Sequence, residues 1–169
     1  TEEWRRLNDD PARPLLDRAI QTRYPPASPF KLATAAMALK RGIATFTTHM
    51  PEPCRGGLQV GNRYFRCWKP EGHGNLDLEG AIAKSCDVYF YQLGLRIGLD
   101  AILSDGVLMG FRDKSGIDLE NEIAPIYPSN AAYFDRKYGS RGWSKWGATL
   151  NFAIGQGENH AGPLGQAGR

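Results

Sequence analysis

Tyr24-Pro25-Pro26-Ala27-Ser28-Pro29-Phe30-Lys31, running into Leu32-Ala33-Thr34-Ala35-Ala36-Met37-Ala38-Leu39, is the stretch whose reading decides the fold. Pro25 and Pro26 hold the approach extended. Ser28 can cap a helix, and Pro29 suits its first position, where the missing N–H costs nothing. The apolar run from Phe30 to Leu39 predicts a mostly buried helix that Gly42 can end. Ser28 then sits at the positive end of the helix dipole. Lys31 follows three residues later, so its amine can return to the face of the Ser28 hydroxyl. A serine beside a desolvated amine is an activated nucleophile. The same four residues also fit an N-capped core helix carrying a surface lysine, because Ser-x-x-Lys arises by chance about once per chain of this size.

The chain has 169 residues, enough for one domain with a real core. A net charge of +3 without a dense Lys/Arg run gives no support for a nucleic-acid partner. No apolar run is long enough to span a membrane, and no secretory leader is recognisable. The 20 glycines and 11 prolines predict many turns.

Residues 1–27 read as an extended lead-in with a helical turn near Leu15–Ala19. Residues 44–75 are too rich in Gly and Pro for a long helix. Within them Val60–Trp68 predicts a short hairpin around Gly61-Asn62. Asp77 can cap a helix from Leu78 to Lys84, Asp87 one from Val88 to Ile97, and Asp100 one to about Met109. Ser129 can cap a helix over residues 130–137. A Trp- and Gly-rich loop with Trp143 and Trp146 is expected next, before Asn151-Phe-Ala-Ile-Gly-Gln-Gly-Glu158.

Ser85-Cys86-Asp87 stands between two of these helices. A serine at such a junction can relay a proton between an amine and a leaving group, although helix capping explains the residues equally well. Three cysteines and a histidine follow the pattern C-x12-C-x5-H-x12-C at Cys54, Cys67, His73 and Cys86. Cys3His is an ordinary structural zinc set, but the spacing is not that of a C-x2-C finger. A disulfide with one orphan thiol, a buried apolar Cys86, or His49 in place of His73 remain open on the residues alone. A Gly/Pro-rich loop with no core of its own favours a staple of some kind.

Asn8-Asp-Asp-Pro11, Arg13-Pro14-Leu15-Leu16, Arg18-Ala19-Ile20 and Tyr24-Pro-Pro resemble the lead-in to the nucleophile helix of class B penicillin-binding proteins, in particular the elongation-type family, penicillin-binding protein 2. The resemblance covers about Trp4 to Glu158 and includes Val88-Tyr89-Phe90-Tyr91-Gln92-Leu93-Gly94. It implies an α/β (α+β) fold of the penicillin-binding protein and serine β-lactamase type, weighted here to the helical lobe. Residues 1–158 are then a partial transpeptidase domain, with 44–75 as a zinc-loop insertion. Residues 159–169 are expected to be a tail or junction outside the family pattern.

The resemblance gives Ser28 the role of nucleophile and Lys31 that of its base. Ser85 joins them as the first residue of the family's Ser-x-Asn motif, where Asp87 replaces the usual Asn. Lys114-Ser115-Gly116 matches the third motif literally, yet its setting resembles a structural turn. The catalytic copy is expected after Ile154-Gly155-Gln156-Gly157. Some members of the family are similar in carrying zinc near the active site, and Cys54, Cys67, His73 and Cys86 stand at the matching positions. Cysteines replace aspartates often found at the first two, and thiolates are good zinc ligands.

The implied activity is peptidoglycan D,D-transpeptidation through a serine acyl-enzyme, with the D-Ala-D-Ala stem peptide as substrate and β-lactams as mimics. The implied parent is anchored in the inner membrane, works in the periplasm and answers to membrane partners of the elongation machinery; its anchor is expected to be absent here. Without the third motif, stabilisation of the tetrahedral intermediate is weakened. The rival expectation is therefore a non-catalytic, zinc-stabilised or partner-binding piece. A β-lactam sensor or hydrolase using the same Ser-x-x-Lys fits the flanking residues less well.

Overall fold

A computed structural model describes residues 1–167. In chain order the elements are α1 (Glu2–Asp9), α2 (Phe30–Lys40), β1 (Gly57–Val60), β2 (Arg63–Arg66), α3 (Leu78–Ala83), α4 (Asp87–Ile97), α5 (Leu99–Leu108), α6 (Ala132–Tyr138), α7 (Lys145–Ala153) and α8 (Pro163–Ala167). The helix-rich α/β character expected from the sequence is present, and among the described residues the one sheet is the β1–β2 hairpin.

Helix α4 is the centre. Val88 to Gly94 and Ile97 are all buried, so it is apolar almost all round. It packs against α7, α2 and α5. At Gly94 an added Cβ would lie 2.4 Å from the Ala153 methyl of α7. Only a residue without a side chain lets the two helices meet there. On α2, Phe30, Lys31, Thr34, Ala35, Met37 and Ala38 face inward. The Thr34 hydroxyl donates to the Ala153 carbonyl at 3.0 Å, which ties α2 to the end of α7. The opposite face of α2, with Leu32, borders a groove of about 390 Å³ shared with Met109 and Phe111.

Several expectations change in detail. Glu2–Asp9 is helical, not extended: Thr1 caps it, and Glu2 and Glu3 in the first turn suit its dipole. The expected turn at Leu15–Ala19 is displaced, and the chain closes instead between Gln21 N–H and the Asp17 carbonyl at 2.8 Å. Ser28 does not cap α2, and Asp87 does not cap α4; both side chains are engaged elsewhere. Asp77 does cap α3, through Gly80 N–H at 2.8 Å. Helix α5 starts from Gly98 without a side-chain cap, and α6 starts from Ala131, not Ser129. The second part of the segment expected as a Trp/Gly loop, from Lys145 on, is helical: it opens α7, capped by Ser144.

The hairpin falls where Gly61-Asn62 places it, with Leu58 opposite Phe65. Both of these side chains are buried and join the main core. Residues 159–161 also pack into the domain: Ala161 pairs with Tyr24, and His160 pairs with Ile126.

Candidate active site and metal cluster

Two sharp turns present the hydroxyls. Ser28 follows Ala27, which has φ +52°, and Ser85 itself has φ +49°. Neither residue is glycine, and the left-handed region is costly for both, a kind of strain that concentrates at functional sites. The Ala27 turn is held by its N–H to the Gly155 carbonyl at 2.8 Å. The Ser85 turn ends α3, with Cys86 N–H bonded to the Ala81 carbonyl at 2.9 Å.

Lys31 extends from the first turn of α2 into this junction, and the residue is only 3% exposed. Its Nζ lies 3.3 Å from Ser28 Oγ, 3.0 Å from Ser85 Oγ, 2.9 Å from the Ser85 carbonyl and 2.6 Å from Asp87 Oδ1. Ser85 Oγ donates to Ser28 Oγ at 3.0 Å. The two hydroxyls and the amine therefore form a closed triangle, with one carboxylate holding the amine. Ser28 itself is exposed and opens on a groove of about 630 Å³ bordered by Trp68, Ser85, Asp87 and Gln156.

Asp87 has a second task. Its Oδ2 accepts the Trp68 backbone N–H at 3.0 Å. The Trp68 indole donates to the carbonyls of Lys84 and Ser85, at 3.2 and 3.1 Å. Trp68 thus clamps the hairpin loop onto the Ser85 turn. The sequence marked it only as the end of the expected Val60–Trp68 hairpin.

Directly behind the clamp lie Cys54, Cys67, His73 and Cys86, with one ligand atom from each inside a 4.8 Å span. All three cysteines are buried and free. His73 Nδ1 is 3.6 Å from Cys54 Sγ and 3.5 Å from Cys67 Sγ. A tetrahedral zinc with ordinary Zn–S and Zn–N bonds sets a sulfur–nitrogen edge of about 3.5 Å. The residues fit that ion in type, number and spacing. His49 is not in the cluster; it pairs with Asn75. The thiols also perturb one another. The Cys86 hydrogen bond, aided by the backbone N–H groups of Lys69, Asp87 and Val88, pulls Cys67 down to about 3 against the cost of its burial. The bond Cys86 makes to Cys67, together with burial, pushes Cys86 up.

Lys114-Ser115-Gly116 lies outside this constellation. The three residues are exposed, and Ser115 N–H donates to Glu122 Oε1 at 2.7 Å, so the segment is a braced surface turn.

The model of the penicillin binding protein transpeptidase domain matches residues 2–168. The peptidoglycan D,D-transpeptidase MrdA of Haemophilus influenzae is 37% identical over 164 residues, which are 97% of this chain and 25% of that protein. The chain thus spans about a quarter of the length of that curated relative. Among solved structures, the complex of penicillin-binding protein PBP2 with MreC from Helicobacter pylori matches 98% of this chain and 30% of its own, at 37% identity and TM-score 0.87. Penicillin-binding protein A from M. tuberculosis, solved as a penicillin G acyl-enzyme complex, matches 98% of this chain and 36% of its own, at 27% identity and TM-score 0.72.

Proposed function

The chain belongs to the penicillin-binding protein transpeptidase family, and on that premise we propose that it carries the acylation centre of a peptidoglycan D,D-transpeptidase of the PBP2 type. The observation that supports this most is the closed contact of Ser28, Ser85 and Lys31, at 3.0 to 3.3 Å, on an open groove.

Ser28 Oγ attacks the carbonyl of the penultimate D-Ala of a stem peptide. Its proton passes to Lys31 Nζ, directly or through Ser85 Oγ, and returns along the same line to the departing D-Ala amine. The acyl-enzyme on Ser28 is then resolved by the amine of a neighbouring stem peptide. β-Lactams place their ring carbonyl at the same atom, in keeping with the acyl-enzyme form of the M. tuberculosis relative. Asp87 acts as a positioning residue that holds the Lys31 amine between the two hydroxyls. The activity is proposed for the whole protein, as are its anchoring in the inner membrane, its periplasmic site of action and an MreC-like partner. The last is suggested by the H. pylori complex.

The second part of the reading is structural zinc on Cys54, Cys67, His73 and Cys86. The ion would supply a fixed tetrahedral node with no part in the chemistry. Its effect is positional, since Cys67 adjoins Trp68 and Cys86 lies between Ser85 and Asp87.

The test is a stem pentapeptide ending in D-Ala-D-Ala, offered to the whole protein with an acceptor peptide. The expected result is D-alanine release matched by cross-linked product, with both lost in Ser28→Ala. Equal D-alanine release by the variant would overturn the assignment.

A further inference from the structure

The groove that exposes Ser28 has a charged wall residue that the acylation chemistry leaves unused. Arg66 and Asp87 both line it. Asp87 is engaged on both oxygens, with Oδ1 on Lys31 at 2.6 Å and Oδ2 on the Trp68 N–H at 3.0 Å. Arg66 is exposed, and among the described residues its guanidinium has no ion pair and no hydrogen bond. Its neighbour across the hairpin is Gly57, which has no side chain to offer it.

The guanidinium is free, but its backbone is anchored. The Arg66 carbonyl accepts the hydroxyl of buried Tyr91 at 3.1 Å, which fixes the strand to α4. On one side of it Phe65 is buried edge-on to the Tyr91 ring. On the other, Cys67 N–H donates to the Gly56 carbonyl at 2.9 Å. An arginine on a fixed base loses less order when it binds. Its planar fork matches a carboxylate with two parallel N–H···O bonds.

We propose that Arg66 is a specificity-determining residue that binds a carboxylate in the part of the donor peptide preceding D-Ala-D-Ala, so that the groove prefers acidic stem peptides. The proposal rests on the acyl-serine reading above. The order of contacts favours the retained part of the donor over the leaving alanine. The hairpin meets the reacting groups through Trp68, whose N–H bonds Asp87, which in turn holds Lys31. Arg66 stands two residues before that contact. The carboxylate of the leaving alanine lies beside the scissile bond, whereas a cation set back along the wall suits a residue further up the peptide.

Two penicillins isolate that charge. Benzylpenicillin has one carboxylate, on its fused ring, in the place of the terminal alanine's. Its α-carboxy derivative carries a second on the acyl side chain, in the place of the retained peptide. Acylation of the whole protein by each is followed by intact mass against time. The readout is the ratio of the two second-order rate constants, α-carboxy over benzyl. The expected result is a ratio that falls roughly three- to tenfold in Arg66→Gln, the scale of one partly exposed charged contact. Arg66→Lys keeps the charge without the fork and should retain part of the preference. Added salt should erode the ratio more in the wild type than in Arg66→Gln. A variant that folds poorly loses amplitude in both reactions and leaves the ratio to report on Arg66. An unchanged ratio overturns the proposal, whether neither reaction slows or both slow alike; in the second case Arg66 serves the ring carboxylate. A wild type that takes up neither penicillin is a separate failure: it removes the acyl-serine reading, and the proposal falls with it.

Discussion

At the residue scale the site is a competition for one amine. Lys31 has four oxygen neighbours within 3.3 Å, and the shortest contact is to Asp87. If Lys31 carries the proton, Lys31→Ala should slow penicillin acylation by about 10²- to 10⁴-fold, the usual range for loss of a general base, as read by stopped-flow. An unchanged rate would move the base elsewhere. Asp87→Ala frees both the amine and the Trp68 N–H, so it should slow acylation and also shift Trp68 fluorescence. A slower rate with unchanged fluorescence would mean that Trp68 is held without it. Ser28 and Lys31 were legible because they are three residues apart and share one helix turn. The two-sided role of Asp87 was not, since its partners stand 56 and 19 positions away. Local pattern carries no information at that range.

At the element scale, α4 and the hairpin were visible and α7 was not. Helix α4 shows an unbroken apolar run, and the hairpin has Gly61-Asn62 between β-favouring residues. Helix α7 contains Gly147, Thr149 and Asn151, all poor helix formers, beside Gly142 and Trp143. It is helical because its inner face, with Leu150, Phe152 and Ala153 buried, packs on α4. That contact gives a sharp prediction. Gly94→Ala overfills the α4–α7 crossing and should cost about 1–3 kcal/mol. For a domain of this size that lowers Tm by roughly 3–10 °C in a thermal scan. The hairpin loop makes a second one. If zinc staples it, chelation should lower the stability by the linkage term, about 2.7 kcal/mol when free zinc had stood at 100 times Kd, and Tm should fall with it. An unchanged Tm would mean that the loop holds itself.

At the scale of the whole molecule, distant segments converge on the nucleophile. A Cβ at Gly155 would lie 2.2 Å from the Ala27 carbonyl oxygen, so the bend after α7 seats the turn that carries Ser28. The family resemblance pointed to residues 154–157, but sequence alone did not show that they buttress Ser28. Overall stability should also carry a signature of the α2–α5 lock. Arg41 donates to both Asp105 oxygens, at 2.6 and 2.9 Å. The Arg41 hydrogen bond holds the Asp105 carboxyl below its ordinary range, against its burial. A depressed carboxyl stabilises the fold fully above its unfolded pKa, about 3.9. That contribution fades as pH falls through the lower folded value. Denaturant midpoints should therefore decline below about pH 4 in the wild type and decline less steeply in Arg41→Gln. Equal slopes would remove the lock from the account.

The central claim is that Ser28, activated by Lys31 and Ser85, is the acylated atom. Intact mass spectrometry of the denatured protein after incubation with benzylpenicillin tests it most directly. The account predicts a mass increase of one penicillin, carried by the peptide containing Ser28 and absent from Ser28→Ala. A protein that gains no mass, or a Ser28→Ala variant that gains the same mass, would contradict it.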